Sequence, residues 1–136
     1  MNDTKGDVGE QLVYNIIEKA IPDIFCYPNP RDLYGDKKEI CDLVILIDEI
    51  LILISVKNYE FKGIYNRYFN NTIAKAINQL YGAERKLFGN KEVFLDHPKL
   101  GVKEFKKEKI KKVFSVIVNL GEGVKYYPFN KSTSNG

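Results

Sequence analysis

The chain has 136 residues, 44% of them hydrophobic and 29% charged, with a formal net charge of +3. That is long enough for one domain with a real core, and the slight basic bias is compatible with nucleic acid without pointing to it. Cys26 and Cys41 form no Cys-x-x-Cys pair, the start Met-Asn-Asp-Thr-Lys-Gly carries no apolar leader, and the longest apolar run is broken by Asp48-Glu49. These features exclude a thiolate zinc site and a membrane span, and leave reduced thiols and a cytoplasmic location as the expectation.

In chain order, Val8, Leu12, Val13, Ile16, Ile17, Ala20 and Ile21 recur at three- and four-residue spacing. They predict an amphipathic helix from residue 3 or 4 to residue 20, stopped by Pro22. Phe25-Cys26-Tyr27 reads as a short strand ended by Pro28-Asn29-Pro30, and residues 31–38 as a polar loop turning on Gly35-Asp36. Residues 43–47 and 50–54 are rich in Ile, Val and Leu and flank Asp48-Glu49, the pattern of a tight hairpin. A second helix is expected over 71–88, burying Ile73, Ala76, Ile77, Leu80, Ala83 and Leu87 and closed by Gly89-Asn90. His97 falls in a loop, where a lone histidine is more often a bystander than a ligand.

Residues 103–112 hold six lysines in ten positions. Such a run is commonly a solvated loop, and its functional reading is a phosphate-contacting edge through Lys106, Lys107 and Lys109. Arg67, among the aromatic and amide residues that follow Lys57, is a further candidate for nucleic-acid contact. Residues 113–120 form a strong strand, 124–127 another after Gly121-Glu122-Gly123, and 131–136 a disordered tail. The expected fold is one α/β domain over residues 1–130, a mixed central sheet flanked by two helices.

The hairpin concentrates the chemistry. A turn on Asp48-Glu49 sets Ile47 opposite Ile50, so that Asp42 faces Ser55 and Ile40 faces Lys57. Side chains alternate along a strand, which puts Asp42, Ser55 and Lys57 on one face, beyond the apolar Val44, Leu46, Leu51 and Leu53. A carboxylate beside a lysine at a strand end suits phosphodiester hydrolysis. Asp42 and the Val56 main-chain carbonyl offer the oxygen ligands that Mg²⁺ or Mn²⁺ takes, and Lys57 offsets charge on phosphate or orients water. Ser55 is a poorer ligand than an acid. Glu10 lies on the margin of the first helix's buried stripe, where its carboxylate can lean toward the sheet. Glu39 points to the opposite face of a regular strand and joins the site only if the chain bends at Ile40.

Four segments, Lys5-Gly6-x-x-Gly9-Glu10, Glu39-Ile40-Cys41-Asp42, Ser55-Val56-Lys57 and Ala76-x-x-Gln79-Leu80-x-Gly82-Ala83, resemble the motifs of the PD-(D/E)xK nuclease superfamily, which includes restriction endonucleases and Holliday-junction resolvases. The resemblance spans residues 4–120 and implies a restriction-endonuclease-like core of order αβββαβ acting on DNA, in restriction or anti-phage defence. By that resemblance Asp42 matches the metal-binding aspartate, Lys57 the catalytic lysine, Glu10 the first-helix acid and Gln79 a second-helix glutamine. Cys41 replaces the family's proline, and Ser55 replaces its second acid. Ser55 keeps two alternatives open: a non-catalytic DNA-binding or assembly module, and a resolvase-like homodimer on branched DNA. A place within a larger protein also stays open.

Overall fold

The computed structural model describes residues 5–59 and 63–121. Helix α1 (Lys5–Ala20) leads into β1 (Cys26–Pro28), β2 (Leu43–Ile47) and β3 (Ile50–Lys57). A short helix α2 (Tyr65–Tyr68), a π-helical turn (Phe69–Ile73) and α3 (Ala74–Leu87) follow. The described chain closes with β4 (Val93–His97), β5 (Gly101–Phe105) and β6 (Lys112–Asn119). The main sheet has the order β1-β2-β3-β6, antiparallel among the first three and parallel between β3 and β6. The α/β class and the mixed sheet are therefore as the sequence implies, with a separate β4–β5 hairpin added before β6. The expected strand at 124–127 and tail at 131–136 lie outside the described residues. Among the described residues, no helix is long and apolar enough to cross a membrane.

The hairpin pairs in the expected register, Ile47 with Ile50 and Leu43 with Ile54. Asp48 sits at its tip with φ 52, the left-handed backbone that a two-residue hairpin turn needs and aspartate tolerates. Alternation then sorts the strand residues between two cores. Val44, Leu51 and Leu53 pack with Leu80, Ala83 and Leu87 of α3, whereas Leu43, Ile45, Ile54 and Val56 pack with Val13 of α1. The sheet is thus covered by one helix on each face, and the carboxyl end of β3 opens between them. Cys26 and Cys41 are buried and unpaired. Burial pushes the Cys41 thiol up to about 12, so it is an inert core group.

Three expectations need correction. The buried stripe of α1 is narrower than its apolar spacing implies: Val8, Leu12 and Ile16 are about half exposed. Each lies next in sequence to a residue on the sheet-facing side. A helix that packs chiefly on one strand, as α1 does on β3, covers little of its own circumference. The second helical segment starts earlier than residue 71, because Asn70 and Asn71 are carried inside a π-helical turn rather than ending the helix. His97 and the start of the 103–112 lysine run are not in loops. Val93, Leu95 and His97 alternate inward with Phe94 and Asp96 as β4, and the lysine run begins within its partner β5 rather than in a free loop.

The polar loop before β2 depends on Gly35. The Asp32 carbonyl accepts hydrogen bonds from Gly35 N (3.2 Å) and Lys37 N (3.0 Å), and a Cβ built on Gly35 would lie 2.0 Å from Asp32 Oδ2. Asp32 is buried, so its carboxyl cannot swing away freely. Gly35→Ala should therefore destabilise the fold by about 1–3 kcal/mol, read as a lowered thermal midpoint.

Candidate metal site at the end of β2 and β3

Regular strand geometry stops just before β2. Ile40 and Cys41, though adjacent, both bury in the α3-side core, and the chain bends at Asp42. Ile40 N–H donates to Pro30 O at 2.7 Å, and Asn29 N–H donates to Asp42 O at 2.8 Å. These bonds hold the bent segment against the turn after β1. The loss of alternation between Ile40 and Cys41 meets the condition under which Glu39 can join the site, while the bend itself falls two residues past Ile40, at Asp42. An oxygen each from Glu10, Glu39 and Asp42 lies within 4.8 Å of the others. Glu10 arrives from α1, Glu39 from an isolated bridge with Arg31, and Asp42 from the bend.

Asp42 Oδ2 accepts a 2.6 Å hydrogen bond from Val56 N–H, which clamps its carboxylate to β3. Asn29 Nδ2 donates at 2.7 Å to Glu10 Oε1 and at 2.7 Å to Glu39 Oε1. Glu10, Asn29 and Asp42 line a cleft of about 280 Å³ together with Tyr14 and Val56. Burial pushes the Asp42 carboxyl up to about 6. The Val56 N–H opposes that rise, the charges of Glu10 and Glu39 add to it, and Lys57 counteracts it least.

The structure divides the sequence-derived candidates. Glu10, Asp42 and Val56 come together at the cleft, and Glu39 joins them through its proximity to the Glu10 and Asp42 carboxylates. Ser55 does not share a face with the Asp42 carboxylate, contrary to expectation. It is fully buried and donates to Gln79 Oε1 of α3 at 2.8 Å, whereas Asp42 lines the cleft against α1. The bend at Asp42 is the physical reason, since it breaks the alternation on which a common face depends. Gln79 accordingly supports the strand through Ser55. Lys57, the half-buried last residue of β3, follows Ser55 in alternation and so, like Ser55 and contrary to expectation, does not share a face with Asp42, although its charge still acts on that carboxyl from the strand end.

The lysine run does not adjoin this site. Lys111 N–H and Lys112 N–H both donate to Glu49 O, and Lys111 Nζ lies 3.3 Å from Glu49 Oε1. The segment is therefore fastened to the turn end of the hairpin, about 25 Å from Lys57 by strand rise. Lys106 and Lys109 are exposed there, and the Lys107 ammonium donates to Gly89 O beyond α3. Arg67 is exposed on α2, on the segment that leaves the site end of β3. Asn29 was missed by sequence reading. Its only local signal is an asparagine held between two prolines, a turn pattern that says nothing of the two carboxylates it meets. No family model, curated protein or solved structure matches the chain.

Proposed function

We propose that this domain is a divalent-cation-dependent nuclease that hydrolyses DNA phosphodiester bonds in the cytoplasm, built on a restriction-endonuclease-like core of the PD-(D/E)xK kind. The observation that carries the reading is the convergence of Glu10, Glu39 and Asp42 within 4.8 Å, beside a cleft that Glu10 and Asp42 line. The donor set fits Mg²⁺ or Mn²⁺, because these carboxylates and the Val56 carbonyl offer only oxygen to a hard cation. When bound, the ion would supply Lewis-acid polarisation of the phosphodiester and a more acidic water.

The chain's own residues do the remaining work. Asp42, oriented by the Val56 N–H, anchors the ligand set, and Glu10 and Glu39 complete it. Lys57 at the end of β3 offsets negative charge developing on the phosphate or orients the attacking water. The Ser55–Gln79 hydrogen bond holds the strand end against α3. Exposed Arg67 is suited to phosphate contact, and Lys106, Lys107 and Lys109 offer a separate basic edge at the turn end of the hairpin.

Plasmid cleavage in Mg²⁺ or Mn²⁺ tests the reading. Asp42→Ala and Lys57→Ala should each slow cleavage about 100-fold or more, and cleavage by both variants at the unaltered rate would overturn it. A second reading, a DNA-binding module without hydrolytic activity, is favoured by one observation: Ser55 is buried against Gln79 where the resemblance calls for an acid. Salt-dependent DNA retention with no cation-dependent cleavage would select it.

A further inference from the structure

Asn29 joins three separate parts of the fold through one residue. It follows β1, has a left-handed backbone (φ 47), and donates its N–H to Asp42 O at 2.8 Å. Both side-chain N–H bonds are directed at carboxylates, reaching Glu10 Oε1 on α1 and Glu39 Oε1 before the bend at 2.7 Å each. An amide nitrogen carries two hydrogens, so this donor capacity is fully used.

Three carboxylates within 4.8 Å repel one another, and Glu10 and Glu39 are long side chains that are half-exposed and exposed. Left alone they would rotate apart into water. We propose that Asn29 is a positioning residue that holds Glu10 and Glu39 convergent with Asp42 for a divalent cation, an inference that rests on the nuclease reading. The chemistry of the amide suits the role. It donates hydrogen bonds without bringing positive charge, so the full negative charge of the site is kept for the cation, which a lysine or arginine would neutralise. Each carboxylate oxygen has a second lone pair, so accepting from Asn29 leaves it able to ligate.

The test is Asn29→Gly, which permits the left-handed backbone and the N–H bond to Asp42 O while removing the amide. By calorimetric titration with Mn²⁺ alone, the variant should bind about 10–100-fold more weakly than the unaltered protein, with an unchanged circular dichroism spectrum. In the unaltered protein, Mg²⁺ titration should move the Asn29 side-chain amide resonance in a ¹⁵N spectrum, a response that a turn-forming role alone would not produce. Equal Mn²⁺ affinity in the variant, or an amide resonance unmoved while the unaltered protein binds, overturns the role of Asn29 and leaves the nuclease reading standing. Absence of Mn²⁺ binding in the unaltered protein overturns both.

Discussion

Asp42→Asn should make the cation-free protein more stable at pH 7.5 and abolish its response to Mn²⁺. In the native chain the Asp42 carboxyl is pushed up to about 6, first by burial and then by the charges of Glu10 and Glu39. Above that pH an ionised group sits partly buried beside two others of like sign. Asparagine removes the charge, and its carbonyl can still accept from Val56 N–H, the bond Asp42 makes at 2.6 Å. Discounted for the part of the carboxyl that stays wet, the gain is about 1 kcal/mol, or roughly 4 °C in melting temperature.

The pH dependence follows with a definite sign. The folded state holds the Asp42 proton more tightly than the unfolded chain, whose ordinary value is 3.8. The resulting stabilisation is present at low pH and is lost as pH rises from about 4 through 6. Asp42→Asn should flatten this part of the stability profile. Cation affinity runs the other way: Mn²⁺ competes with the proton, so its binding should weaken as pH falls through 6. Thermal melts from pH 4 to 8, with and without Mn²⁺, read both slopes. A variant that melts no higher than the native chain without cation, or still gains stability from Mn²⁺, would contradict this account.

His97→Ala should cost about 3 kcal/mol of stability while leaving Mn²⁺ affinity intact. The ring is buried at the end of β4, and its Nδ1 accepts from Lys99 N and Leu100 N at 3.0 Å each. Two amides aimed at Nδ1 leave the ring hydrogen on Nε2, which lies 3.0 Å from Asp23 O. The ring also meets Tyr27 edge-on, with centroids 4.8 Å apart. Alanine would leave two inward amides without partners and open space beside Tyr27, each a known source of large losses. His97→Asn offers an oxygen where Nδ1 stood and should recover part of the loss. Denaturant melts of the two variants decide it, and an alanine variant as stable as the native chain would show that the β4–β5 turn does not depend on the ring.

Local pattern was enough wherever one period dominated. The Ile, Val and Leu runs around Asp48-Glu49 lead to the hairpin and its register, and Ala76, Leu80, Ala83 and Leu87 lead to the buried side of α3. The alternation of Val93, Leu95 and His97 carried the same kind of signal for β4, but a histidine and an aspartate within five residues disguised it as loop. His97 reads as polar, yet its ring nitrogens are satisfied by the amides of the turn that follows it and by Asp23 O, 74 positions away, which no spacing rule reveals.

What the chain's order of residues determines here is a set of periods: which stretches form helix or strand, and which strand residues lie opposite each other across the hairpin. Only the folded structure decides that the chain bends at Asp42, that Ser55 is taken up by Gln79, and that Asn29 bonds two acids ten and nineteen positions away. The division has a physical cause. Hydrogen-bonded ladders repeat and so leave a repeating imprint on sequence. A bend held by Pro30 O and Asn29 N is a single arrangement, fixed by partners distant along the chain, and it leaves none.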